Sequence, residues 1–173
     1  TKTNAGSVRN NGLEFNLNYE GRVSEFTYGI GVNTSFIKNE VKSLGGGEPI
    51  YGWNSLTKTE EGREIAYFYG LQTAGIFQTQ AQLDTHVKDG NPIQPNAGLG
   101  DVIFVDRNND GVIDEKDRTY LGSATPDLTY GLSLSAAFKG IDLNLFFQGT
   151  QGNEIANYMY AVLYSTDMTE WSN

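Results

Sequence analysis

Twelve consecutive residues place oxygen donors at the spacing of a calcium loop: Asp106-Arg107-Asn108-Asn109-Asp110-Gly111-Val112-Ile113-Asp114-Glu115-Lys116-Asp117. Asp106, Asn108 and Asp110 stand at positions 1, 3 and 5, and the Val112 carbonyl falls at position 7. Gly111 stands at position 6, where the chain must turn sharply, and Asp114 and Asp117 stand at positions 9 and 12. A hard divalent cation takes about 6–8 oxygens, and this spacing folds them round one point. Five acids and two bases give the loop a local charge of −3, which repels itself without a cation. The metal expected is Ca2+ in a structural role, held by Asp106, Asn108, Asp110, Val112, Asp114 and Asp117. Nothing in the ligand set suggests a catalytic water.

Position 12 is Asp, whose shorter carboxylate is less suited to bidentate ligation than the Glu of a helix–loop–helix site. Residues 101–105 before the loop read as extended, so the loop is expected without flanking helices, similar to dockerin loops. The alternative is an acidic loop closed by Asx turns that needs only water.

Period-two alternation dominates the rest of the chain. Segments 13–20, 26–36, 128–138 and 141–148 each alternate apolar with polar or small residues. Successive side chains of a strand point to opposite faces, so each segment is a ribbon with one oily and one wet side. Segments 50–56 and 64–73 read as two weaker strands, the first interrupted by Gly52. The strong segments approach the ~9–11 residues of a membrane-spanning strand. Connections alternate between short (residues 21–25 and 139–140) and long (38–48, 78–126 and from 150 onward), the asymmetry of an outer-membrane barrel. Placing both short turns on one side requires an even number of strands between 26–37 and 127–138. Counting 49–57 and 63–74 as wall strands meets that requirement and gives about six strands across residues 1–173. The smallest membrane barrels have about eight, so the chain is expected to be part of a larger one. Its opening Thr1-Lys2-Thr3-Asn4, without initiator Met or signal pattern, fits a piece of something longer.

Composition removes other classes. The 173 residues include 12 basic and 21 acidic side chains, a net charge of −9 that repels phosphates and argues against nucleic acid. With no Cys there is no disulfide framework, Fe–S cluster or thiol nucleophile, and one His excludes sites needing two imidazoles. Gly at 21 residues is too abundant for a helical bundle, and 12% aromatics is too many for disorder. His86 reads as a surface residue, and Glu60-Glu61 and Asp84/Asp89 as solvated carboxylates, because no apolar setting raises a pKa for acid–base work. Gly45-Gly46-Gly47 lacks the Lys-Ser/Thr of a phosphate loop and reads as a linker. No enzyme is expected. Tyr51, Trp53, Tyr67, Phe68 and Tyr69 read as an interfacial girdle, with stacking on sugar rings in an extracellular mouth as the alternative. Tyr158, Tyr160, Tyr164 and Trp171 stay open between these, and 153–166 has helical character.

Residues 100–114 and 117–131 resemble the C-terminal barrel region of SusC/RagA-type TonB-dependent transporters of Bacteroidetes. Phe146-Phe147-Gln148-Gly149-Thr150-Gln151-Gly152-Asn153, Tyr69-Gly70 with Gly75-Ile76-Phe77-Gln78, and Val8-Arg9-Asn10-Asn11-Gly12-Leu13-Glu14 fit the same family. The resemblance implies an all-β fold, antiparallel strands of a 22-stranded outer-membrane barrel with long extracellular loops. It also implies a plug, a SusD-like lipoprotein partner, and import of glycans or peptides driven through TonB. The plug, TonB box and final strand of that family lie outside this sequence. Within it, 101–122 would be a calcium-loop-like extracellular segment. Leu13, Phe15, Leu17, Phe26, Tyr28, Ile30, Leu132, Leu134, Leu143 and Leu145 would face outer-membrane lipid. Asn16, Asn18, Asn33, Ser133, Asn144 and Gln148 would face the lumen. The rival reading is a secreted, soluble calcium-binding β-sandwich such as a carbohydrate-binding module, with the oily positions buried between two sheets.

Overall fold

A computed structural model describes residues 6–157. The strands are β1 (Ser7–Val23), β2 (Phe26–Ser43), β3 (Ile50–Gly52), β4 (Thr57–Thr59), β5 (Tyr67–Leu71) and β6 (Thr73–Ile76). After a short helix, α1 (Gln80–Thr85), come β7 (Val87–Lys88), β8 (Asn91–Pro92) and β9 (Val102–Phe104). The chain then forms β10 (Arg118–Gly122), β11 (Leu128–Phe138) and β12 (Ile141–Gln151). No helix among the described residues is long and apolar enough to cross a membrane. Tyr158, Tyr160, Tyr164, Trp171 and most of 153–166 lie outside the described residues.

The four strongly alternating segments build one antiparallel sheet in the order β1-β2-β11-β12. Its register makes the alternation of each strand agree with its neighbour's. Leu17 pairs with Val32, Val32 with Leu132 and Leu132 with Phe147. The next row along is Tyr19, Ile30, Leu134 and Leu145. Directly paired residues share a face, so every position expected to face lipid lies on one side. On the other side lie the rows Asn16-Asn33-Gly131-Gln148 and Asn18-Gly31-Ser133-Phe146. Phe146 is the departure, an exposed ring on the polar face.

Nothing described covers the oily face. Leu13 is 68% exposed, Leu17 53%, Leu143 53% and Ile141 75%. A sandwich would bury these side chains against a second sheet. Among the described residues no second sheet packs there, which does not favour the soluble alternative. The ten residue steps from Phe26 to Phe36 along β2 span ~34 Å, or ~24 Å once tilted by about 45°. That matches the ~25 Å apolar band of a membrane barrel.

Two tight turns close one end of the sheet. Ser24-Glu25 joins β1 to β2, tighter than the five-residue turn expected, and Lys139-Gly140 joins β11 to β12. Lys139 and Gly140 both have positive φ, 48° and 83°, as a two-residue hairpin of primed type requires. At the other end, residues 44–127 form one continuous excursion. The expectation of six wall strands is corrected to four, because β11 pairs with β2 along its length, from Leu128–Phe36 to Phe138–Phe26. Both edges of β2 are then occupied, and no strand can lie between. Segments 50–56 and 64–73 instead form parts of a separate small sheet, ordered β10-β5-β4-β3. Gly52 and three successive left-handed residues end β3 after three positions. Parity still holds, since zero is even.

The excursion is anchored on β2 where it runs beyond the wall. Val41 is fully buried; its N–H donates to the Arg63 carbonyl at 2.8 Å, and its own carbonyl accepts from Gly62 N–H at 2.8 Å. Asn39 Oδ1 accepts from Ile65 N–H at 2.8 Å. These bonds satisfy backbone groups that β2's last turn of chain would otherwise leave open.

Candidate functional site

The 106–117 loop is held at both ends by strand pairing. β9 enters it from its pairing with β6, and β10 leaves it paired to β5, with Thr119 opposite Gly70. Within it the side chains fold the backbone. Asp106 accepts from the N–H groups of Asp110 (3.2 Å) and Gly111 (2.8 Å). Asn108 Oδ1 accepts from Asp110 N–H at 2.9 Å, and Asp110 Oδ1 from Val112 N–H at 3.0 Å. The Asn108 and Asp110 bonds are Asx turns, which short carboxylate and amide side chains form with the backbone two residues on. Gly111 has φ +88°, and a Cβ there would meet the Lys88 side chain at 3.0 Å. Position 6 needs glycine on both counts.

The second half closes differently. Asp114 caps a single 3-10 turn, Glu115–Asp117, accepting from Lys116 N–H at 2.7 Å. Asp117 has no exposed surface. Its carboxylate accepts from the N–H groups of Asp114 (2.8 Å), Arg107 (2.9 Å) and Asn108 (3.5 Å). The Asp114 bond leads in holding this carboxyl below the usual range, with those from Arg107 and Asn108 adding to it. Lys116 Nζ lies 3.7 Å from Asp110 and 3.6 Å from Asp114.

The loop therefore draws Asp106, Asn108 and Asp110 together, with Val112 bonded through its N–H. Asp117 bridges the start of the loop to its end through backbone amides. Among the described residues, no three acidic or imidazole side chains converge as a metal cluster. An ammonium stands between the position-5 and position-9 carboxylates.

Sequence reasoning missed a ladder of rings and charges in the small sheet. Tyr67 is buried, and its hydroxyl donates to Glu60 Oε1 at 2.5 Å. Glu60 also pairs with Lys58 at 2.7 Å. The Lys58 bond leads in lowering the Glu60 pKa, with Tyr67 second; the same carboxylate raises Lys58. Burial first, then Glu60, pushes the Tyr67 phenol upward. Tyr67 also packs on Tyr120 (5.2 Å), Lys58 lies over Tyr69 (4.8 Å) and Arg63 over Tyr120 (5.2 Å). Lys58 lies in β4 and Glu60 directly after it, two apart, a spacing that in extended chain puts both on one face. That was the available signal. Glu60 is thus part of a charged network and no longer a merely solvated acid. The girdle reading of Tyr51, Trp53, Tyr67, Phe68 and Tyr69 is corrected as well, because all five belong to the excursion and none to the wall. His86 is half-buried, edge-on to Phe77 at 5.4 Å, because Phe77 gives this part of the excursion its own small core.

No family model matches the chain. Individual proteins do. It is 31% identical over 162 residues to TonB-dependent receptor P26 of Formosa agariphila, an alignment covering 89% of the chain. It is 31% identical over 165 residues, 90% of the chain, to TonB-dependent receptor P3 of the same organism. The chain is homologous to TonB-dependent receptors. It is also 25% identical over 91% of its length to the TonB-dependent receptor SusC of Bacteroides thetaiotaomicron. The chain spans about one-sixth of these receptors: 16% of P26 and of P3, and 15% of SusC. A solved structure of the RagAB peptide transporter superposes on this chain with a TM-score of 0.69. It has 22% identity and covers 92% of this chain and 16% of the solved chain. The four-stranded sheet is accordingly barrel wall, and residues 44–127 are one of its long loops.

Proposed function

We propose that this segment forms wall and extracellular loop of an outer-membrane, TonB-dependent importer that takes up glycans or peptides with a SusD-like lipoprotein partner. The observation that carries this reading is the register: four strands gather their apolar residues on one face, and none of the described residues covers it. Hydrocarbon tolerates such a face and water does not. The receptor names of the relatives and the RagAB fold support the transport role. Fractionation tests the reading. The receptor should sediment with outer membranes, resist alkaline carbonate and leave only with detergent. A folded monomer soluble without detergent would contradict it.

A second proposal concerns the loop. Asp106, Asn108, Asp110, the Val112 carbonyl, Asp114 and Asp117 would hold Ca2+ as a structural ion. The support is the 12-residue spacing, the left-handed Gly111, and Lys116 acting as a stand-in cation between Asp110 and Asp114. A divalent ion would displace that ammonium and draw in the outlying carboxylates, stiffening the mouth of the barrel.

A further inference from the structure

β1 and β2 run on together past the end of the wall. Leu13 and Phe36 are the last apolar pair on the lipid-facing side, and the next rows on that side are Asn11 with Lys38 and Arg9 with Glu40. Lys42 belongs to the same side, since its ammonium reaches back to Glu40 at 2.5 Å. The opposite side of this extension is occupied, with Val41 buried and Asn39 bonded to Ile65 N–H. Arg9, Lys38 and Lys42 remain exposed.

Three cations and one carboxylate give this patch a net charge of +2, on a chain whose net charge is −9. Lys42 takes the carboxylate, so Arg9 and Lys38 are without an ion pair among the described residues. All three cations nevertheless act on Glu40. The Lys42 bond leads in holding its carboxyl below the ordinary range, and the charges of Lys38 and Arg9 add to it. The other end of the wall carries no such excess. Beyond Phe26 and Phe138 stand the two tight turns, whose Glu25 and Lys139 face each other at 3.8 Å and cancel. The positive end is the one that bears the long excursion, the extracellular end of a membrane barrel.

Height places these cations at the lipid headgroups. Two residues of strand advance ~7 Å, or ~5 Å in height at a tilt of about 45°. Lys38 therefore stands ~5 Å and Arg9 ~10 Å above Phe36, where the apolar band ends. The headgroup layer is about 5–8 Å deep on each side of a bilayer. Long basic side chains bend into it while their stems stay on apolar surface. We infer that Arg9, Lys38 and Lys42 form a docking surface for the phosphate of a net-anionic lipid headgroup in the outward leaflet. The surface is continuous with the lipid-facing band, so one lipid can lay its chains on Leu13 and Phe36 and its phosphate on the patch. An arginine fork and neighbouring ammonium groups match the charge and oxygens of a phosphate. The inference rests on the sheet being membrane wall.

Fluorescence quenching on the full receptor, reconstituted in phosphatidylcholine bilayers, tests this. A bimane on Leu13→Cys reads the lipid beside the patch, and one on Phe138→Cys reads the opposite end. The quencher is phosphatidylglycerol or phosphatidylcholine brominated in its acyl chains. At position 13 phosphatidylglycerol should be preferred by about 5- to 25-fold, the weight of one to two cations near a membrane surface. At position 138 the two lipids should quench alike. The combined variant Arg9→Gln, Lys38→Gln, Lys42→Gln should lose the preference at 13. Lys38→Gln alone should cut it by about 5-fold, and it carries the test if the combined variant misfolds. Glu40→Gln, which removes the one carboxylate, should strengthen it. An unchanged preference in these lysine and arginine variants, or the same preference at both ends, would overturn the inference. If inorganic phosphate removed the preference and chloride of equal ionic strength did not, the patch would be a free-anion site and the lipid assignment would fall. Quenching at 13 by neither lipid would sink the wall itself, and the inference with it.

Discussion

The phenol of Tyr130 crosses the β11–β12 pair and lies against Gly149, its direct cross-strand partner. Tyr28 does the same to Gly21 on the β1–β2 pair. Both pairs lie on the apolar face, near opposite ends of the wall, and each ring occupies the space that a Cβ on the glycine would need. An aromatic ring laid over a strand glycine restores the packing that the glycine lacks and pins the register.

A side chain at position 149 should therefore cost stability in proportion to its bulk. Gly149→Val is expected to destabilise the sheet by about 1–3 kcal/mol through overpacking, read by denaturant unfolding in detergent. Tyr130→Ala in the same molecule should recover part of the loss, because the two sites share one space. Additive losses would mean that the ring and the glycine do not interact.

Leu134 and Ser133 are neighbours that the register sends to opposite faces. Leu134→Arg, in the middle rows of the apolar band, should cost about 2–4 kcal/mol of folding stability in bilayers. Ser133→Arg should cost much less, since the lumen side admits water. Refolding titrations into lipid vesicles measure both.

Asp106→Ala or Asp110→Ala should abolish Ca2+ binding in calorimetry and loosen 100–122 to proteolysis. Each removes a proposed ligand and also an acceptor that shapes the turn. Equal binding heats in wild type and variants would remove the ion from the loop.

Acid should open the same loop. The Asp117 carboxyl titrates below its ordinary value because backbone N–H groups hold the ionised form, that of Asp114 first. A carboxyl depressed in the folded state stabilises it above the unfolded pKa of about 3.9. That stability is lost as the pH falls through the lower, folded value. Exchange protection of 106–122 should thus persist at neutral pH and fall below about pH 4. Asp117→Asn should remove this acid step.

The wall was legible from the sequence because its signal is strictly local. Leu13 to Glu20 and Leu128 to Ser135 alternate without interruption, and period two admits one reading. What alternation does not carry is pairing. Tyr67, Phe68 and Tyr69 in β5 look as strand-like as any wall residue, yet β11 pairs directly with β2, where segments 49–57 and 63–74 were expected to lie between them. That choice follows from eleven matched rows, which no short segment could equal. The acidic loop was legible by spacing, and its Asx turns follow from residue type. The role of Lys116 and the reach of Arg118 to Ser55 were not, because both depend on how distant elements meet. Glu60 was misjudged for the same reason, its partner Tyr67 lying on another strand.

The central claim is that lipid, and no layer of protein, wets the apolar face of the sheet. Nitroxide side chains placed singly from 130 to 138 in the bilayer-reconstituted receptor, with oxygen and a water-soluble nickel chelate as collision partners, measure this most directly. Positions 130, 132, 134, 136 and 138 should collide with oxygen and be shielded from nickel, while 131, 133, 135 and 137 show the reverse preference. Even positions shielded from both partners would mean that protein covers the face, and the account of a membrane wall would be wrong.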